Sequence, residues 1–460
     1  MKKLLLPIFA LSLGISSCTK ILDQQPQSSL DAATAYTTRQ GVEAGLLGCY
    51  SSLQSGNYYG LRFWALGDLE TDILLHTGTF PSFAQFSNRA LLADNAEITN
   101  IWSTLFNAIN RANNIIASAP GIIDPAFNVN QAVAEARFLR GLFYFDLIRG
   151  FGGSTTGYNK SGGLGVPLFT KPTLTPADAA PQARKTEAEI YTQIVSDLDF
   201  AIANLPTISA NGRANISVAN SIKARLELYR ENWTSAETLA TAVLNPFSAS
   251  PNGGLVAGAS YANLWLIKNQ KPESIWELQF DINNTNGIAF FYYPTPSGGR
   301  NEITSLASFG AAHEAGDLRL TTNRTTTTPL NKTLKYTRVP GDDHVTLVRL
   351  SELYLIRAEA RARKAIPDIT GAQADLNVVR TRAGLPNTTA LSPADLVTAI
   401  ERERRIEFAH EGHRKFDMRR YNTFINLPGM TSASNWRALW PIPERETLTS
   451  KNIITQNPGY

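Results

Sequence analysis

Residues 130–149 carry the pattern that most restricts the fold. Phe138, Leu142 and Phe145 stand at i, i+4 and i+7, on one face of an α-helix. Leu139, Phe143, Leu147 and Ile148 fill its other faces. A helix that is apolar nearly all round has no solvent side, so other elements must enclose it. Helical patterning also covers roughly 40–54, 96–118, 185–204, 217–230, 234–245, 346–364, 371–383 and 393–411. Short turns between neighbours such as 217–230 and 234–245 predict stacked helical hairpins. Ala219, Ala224, Leu228, Tyr229, Trp233, Ala236 and Ala240 mix small and large residues in a tetratricopeptide-like way, although no strict repeat of about 34 residues is visible.

Four stretches rich in Gly, Pro, Asn and Thr separate the helices: 55–95, 152–182, 247–272 and 283–345. Loops longer than about 12–15 residues are uncommon as mere connectors and usually carry function. These loops hold most of the aromatic residues that a helical core does not need. The expected class is therefore mainly α, with helical hairpins packed against a loop-rich half that has a few short strands.

Of the 460 residues, 43% are apolar, which excludes disorder. Only 18% are charged, against about 25% in typical domains, so the surface is uncharged-polar rather than ionic. The net charge of +4 includes Lys2 and Lys3; without the first 17 residues it falls to +2, too little for the basic stripe of a nucleic-acid binder. Met1-Lys2-Lys3 followed by the apolar run from Leu4 to Gly14 reads as a secretory signal. Ile15-Ser16-Ser17-Cys18 then looks like a bacterial lipobox, with Cys18 as the acylated residue. Several acyl chains anchor stably, at about 0.8 kcal/mol per buried methylene. The expected organisation is a signal peptide over 1–17, a lipidated polar tether over 18–30, and one domain over 31–460. Once Cys18 is used, Cys49 has no disulfide partner, and its apolar neighbours mark it as a buried, inert thiol.

Catalytic signatures are missing. His410-Glu411-Gly412-His413 lacks the i, i+4 histidine spacing of a zinc protease and reads as a solvated or capped helix end. There is no G-x-S-x-G elbow, Walker loop or G-x-G-x-x-G. No catalytic residue, cofactor or metal is expected, and a structural Ca2+ is not indicated. The run from Glu401 to Arg420 is the densest charge in the chain; Glu401 with Arg404 and Arg405, and Glu403 and Glu407 flanking Arg404, predict a structural ion-pair network along a helix.

Several blocks, in order, resemble the SusD/RagB family of outer-membrane nutrient-binding lipoproteins from Bacteroidetes. They are Cys18 with Leu22-Asp23 and Pro26, Glu135 to Arg149, Phe151-Gly152-Gly153, and Val166-Pro167-Leu168. Glu352 to Ala360, Leu376-Asn377 with Arg380, Arg382 to Leu385, Glu403 to Phe408, Gly412-His413-Arg414 and Asp417 to Arg419 follow. The ending Trp440 to Pro443, Asn452 and Gln456 to Tyr460 completes the resemblance, which spans an N-terminal region of about 31–230 and a C-terminal one of about 270–460. The resemblance implies a SusD-like fold with tetratricopeptide-like hairpins and a surface lipoprotein of the outer membrane. It also implies glycan capture without catalysis, and a SusC-type TonB-dependent β-barrel transporter as partner. Binding of peptides or another nutrient by the same architecture, and a surface glycoside hydrolase, are the alternatives.

Sugars present C–H faces that meet aromatic rings, and hydroxyls that need amide or carboxylate partners. Two loop regions fit. Tyr58, Tyr59, Phe63, Trp64, Asp72, His76, Phe80, Phe83, Gln85, Phe86 and Asn88 form one; Asn283, Asn284, Asn286, Phe290 to Tyr293, Arg300 and Asn301 form the other. The expected ligand contacts are Trp64, Asp72, Phe80, Phe83, Phe86, Asn88, Asn284, Phe291, Tyr292, Tyr293 and Asn301. Read as a strand, 290–293 cannot point all four rings inward, so one or two should be exposed. Trp102 and Trp233 are expected in the core, and Trp265, Trp276 and Trp440 in packing.

Overall fold

A computed structural model of the chain describes residues 35–209 and 212–460. The expected signal peptide over 1–17, Cys18 and the expected tether over 18–30 lie outside the described residues. The first half runs α1 (Arg39–Gln54), α2 (Arg62–Leu69), β1 (Leu74–His76), α3 (Pro81–Ser87), α4 (Ala96–Ser118), α5 (Val129–Phe151), α6 (Glu187–Asn204), α7 (Ile216–Tyr229) and α8 (Trp233–Leu244). The second runs β2 (Ser274–Leu278), α9 (Ile288–Tyr292), β3 (Ile303–Ser305), β4 (Val345–Arg349), α10 (Leu350–Arg363), α11 (Ile369–Arg382), α12 (Pro393–Glu407) and α13 (Arg414–Arg420), with shorter turns between. The predicted helices are all present, and side-chain caps set where many begin. Asn128 accepts from Gln131 N, Asn215 from Val218 N and Ser392 from Asp395 N, while Thr186 and Glu189 close a reciprocal capping box. Two boundaries differ. Residues 346–349, expected within a helix, pair instead as part of β4 against β2, and α12 ends at Glu407, before the turn that holds His410 in a left-handed conformation.

α5 is enclosed as its sequence requires: every residue from Phe138 to Phe151 is buried. α1, α4 and α6 pack on it, and Trp276 of β2 meets Phe138 edge-on at 5.4 Å. The hairpins α5–α6, α7–α8 and α10–α11 stack in sequence, with α8 against α10. Each charge on the buried helix is paired. Arg140 holds Asp197 through two bonds of 2.7 and 2.8 Å, and Glu135 accepts from Tyr50 and Arg213. Asp146 takes the hydroxyls of Tyr58 and Tyr59 and the guanidinium of Arg149. Trp102, Trp265, Trp276 and Trp440 are buried, and Trp233 is half-buried against the core. Trp440 is fully enclosed, edge-on to Phe63, Phe86 and Phe151; its backbone N–H donates to the carbonyl of Gly150 and its indole N–H to Glu70. Cys49 is buried and free; burial pushes its thiol up to about 12.

The charged run 401–420 is structural, but its pairs are not those expected along one helix. Glu401 faces Arg414, Arg405 faces Asp72, and Arg404 donates to Asp417 at 2.8 Å. Glu407 sits fully buried among Arg319, Arg349 and Arg382, which come from three other segments. Burial alone pushes its carboxyl up, yet these three cations hold it well below the usual range. The histidines nearby are buried rather than solvated, because the turn after α12 is folded under α2. Burial and the cation of Lys335 push His410 down to about 3, so it is neutral.

Candidate functional site

A two-stranded ribbon joins the two segments expected to face a ligand. β1 runs antiparallel to β3, with Leu74 opposite Ser305 and His76 opposite Ile303. The 77–80 turn that leaves β1 therefore lies beside residues 290–302. The 290–293 segment is helical at its start, not a strand, so its rings fan out instead of alternating. Phe290 is 36% exposed and Phe291 half-buried, while Tyr292 and Tyr293 turn inward.

The rings that remain at the surface form a ledge. Phe80 and Phe291 stack with centroids 5.8 Å apart and planes within 22°. Phe83 lies beneath both, at 5.4 and 5.6 Å, and Phe290 stands edge-on to Phe291 at 5.6 Å. The guanidinium of Arg300 covers the Phe80 ring at 4.5 Å. Asn301 borders the ledge; its Oδ1 accepts from Lys332 Nζ at 2.6 Å and its carbonyl from Thr77 Oγ1 at 2.9 Å. Burial lowers the Lys332 ammonium to about 8. Under the ledge, the enclosed carboxylate of Glu302 accepts from the N–H groups of Thr79 (2.9 Å) and Phe80 (3.2 Å) and meets His76 Nε2 at 3.1 Å. Burial pushes this carboxyl up, but the Phe80 N–H, His76 and the Thr79 N–H outweigh it and hold it below its ordinary value. Ring faces beside a guanidinium and an amide suit a ligand with flat C–H surfaces and many hydroxyls.

Of the residues expected from sequence, Phe80, Phe291 and Asn301 come together here, with Phe83 as a buried support. Four others are corrected to core positions, where a ring face cannot meet a ligand. Trp64 packs edge-on to Tyr59 and is bonded through its indole N–H. Phe86 lies edge-on to Trp440. Tyr292 packs on His410, and the Tyr293 hydroxyl donates to the carbonyl of Thr333. Tyr58, Tyr59 and Phe63 are buried as well. Asp72 is occupied by Arg405 and Arg414. Asn88 and Asn284 are exposed at the end of α3 and in the turn at Asp281, apart from the stacked rings. Sequence reasoning missed Glu302; a lone glutamate in a loop carries no local signal. Among the described residues there is no cluster of three or more His, Cys, Asp or Glu able to hold a metal, and no helix long and apolar enough to cross a membrane.

Fold and ledge together define a helical-hairpin protein with a loop-built aromatic face. The SusD family model matches residues 310–432, and a family described as starch-binding and associating with the outer membrane matches residues 21–228. The chain is 24% identical to the SusD-like protein P38 of Formosa agariphila, over 98% of both chains. Among solved structures, a SusD superfamily protein of Bacteroides thetaiotaomicron shares 27% identity over 92% of this chain and all of its own, with a TM-score of 0.74. A laminarin-binding SusD-like protein shares 25% identity over 92% of this chain and all of its own, with a TM-score of 0.72. The chain belongs to the SusD/RagB family.

Proposed function

We propose that this chain is a cell-surface glycan-binding lipoprotein that captures oligo- or polysaccharide and delivers it to a SusC-type TonB-dependent transporter. The stacked Phe80–Phe291 pair under Arg300, with Phe290 exposed beside it, carries the reading. Its likeness to a family described as starch-binding, and to a laminarin-binding protein, supports a sugar as the ligand. Phe80, Phe291 and Asn301 contact that ligand. Glu302, the carboxylate at the ledge, is enclosed and committed to backbone donors and His76, which favours binding over hydrolysis. In this reading residues 1–17 are a signal peptide, Cys18 carries lipid, 18–30 are the tether and 31–460 fold as one domain on the outer face of the outer membrane. Calorimetric titration with laminarin and with starch oligosaccharides tests it. Binding that survives Phe80→Ala and Phe291→Ala unchanged would place the ligand elsewhere.

A further inference from the structure

Phe80 sits at the start of a helix of only seven residues, at the end of a turn with no regular structure. Its ring nevertheless has a defined place, stacked with Phe291 and with the Arg300 guanidinium over it. The contacts that fix this turn converge on one side chain. The N–H groups of Thr79 and Phe80 both point at one carboxylate oxygen of Glu302, and the N–H of Thr77 donates to the Glu302 carbonyl at 2.9 Å. The turn passes so close that a Cβ on Gly78 would lie 2.0 Å from that oxygen and 2.7 Å from the Glu302 Cα. Only glycine permits such an approach. The other carboxylate oxygen lies 3.5 Å from Arg300 Nε, and Arg300 is the cation over the Phe80 ring. The N–H of Glu302 donates to the carbonyl of Phe291 at 2.9 Å, which ties the second ring to the same residue.

We propose that Glu302 is the positioning residue of the ledge: without touching ligand, it sets the Phe80 backbone, the guanidinium over its ring and the stacked partner Phe291 in one register. This rests on the ledge being the ligand surface. Charge-assisted bonds to backbone donors are stronger than neutral ones, and removing the acceptor leaves the part-buried Thr79 and Phe80 N–H groups without that partner. A ring released in this way loses affinity by having to be ordered again on binding.

The test uses the mature chain in two measurements. Amide hydrogen exchange without ligand reads the Thr79 and Phe80 N–H groups directly. Glu302→Ala should lower their protection by at least about tenfold, Glu302→Gln by less because it keeps one acceptor oxygen, and Gly78→Ala should lower it while leaving the carboxylate in place. Titration with laminarin should show Kd raised about tenfold or more in Glu302→Ala and largely restored in Glu302→Gln. Unchanged protection of the two amides in Glu302→Ala overturns the proposal, as does lost protection with unchanged laminarin affinity. If the unaltered protein does not bind laminarin, the glycan reading fails for that probe, and the exchange measurement alone decides whether Glu302 holds the turn.

Discussion

The indole Nε1 of Trp64 donates to the carbonyl oxygen of His410 at 2.8 Å, so that α2 is bonded to the turn that follows α12. This places Trp64 in the core that joins the two ends of the chain. Trp64→Ala should cost about 3–5 kcal/mol in unfolding free energy, as buried aromatic truncations do. Urea denaturation measures it, and glycan affinity of the folded fraction should stay at its original value.

The ledge rings should behave in the opposite way. Phe80→Ala with Phe291→Ala should each weaken glycan binding by about 1 kcal/mol, close to fivefold per ring. The far-ultraviolet circular dichroism of the helical hairpins should not change. Calorimetry and dichroism on the same samples make the comparison.

Glu407 is the point where three buried arginines meet. Glu407→Gln leaves Arg319, Arg349 and Arg382 with one buried negative charge fewer, which should destabilise the fold by about 3–5 kcal/mol. Chemical denaturation reads that loss. If stability is normal and binding is abolished, the cluster belongs to the ligand site.

Acid stability should depend on Glu359. Burial raises its carboxyl, but Arg420, Arg363 and Arg404 together pull it down to about 2, from an ordinary value of 4.5. A carboxyl depressed in the folded state stabilises it above the unfolded value, and that contribution fades as pH falls from 4.5 toward 2. Its size is about 3 kcal/mol. Unfolding free energies measured across this window should fall less steeply for Glu359→Gln than for the unaltered chain.

Anchoring by lipid predicts that Cys18→Ala moves the protein from the membrane fraction to the soluble one, or leaves it unprocessed. Mass spectrometry of the mature N-terminus checks whether acyl chains are present. A mature protein that stays on the membrane without them would contradict the reading.

The long helices were legible because their period repeats several times and their caps are written locally, as at Asn128 and Thr186. α2, α3 and α9 were not, since five to eight residues do not repeat the period enough to show it against loop-like neighbours. The segments of the ledge were legible as aromatic-rich loops. Which rings face outward was not, because that depends on partners far away in sequence. Tyr58 and Tyr59 turn in toward Asp146, and Trp64 toward His410. The same holds for charge: the 401–420 run announced a network, but its arginine partners at 319, 349 and 382 sit on other elements, invisible to an i, i+4 rule.

Trp440 closes the core from almost three hundred or more residues further along the chain than the rings it is wedged against, Phe63, Phe86 and Phe151. Synthesis runs the other way, from N-terminus to C-terminus. The early helices can therefore form while the space for that indole is still empty, and this part of the core stays unfinished until the Trp440 segment arrives. A chain cut short before Trp440 should leave that apolar hole open to water, a ready target for proteases and for association with other unfinished chains.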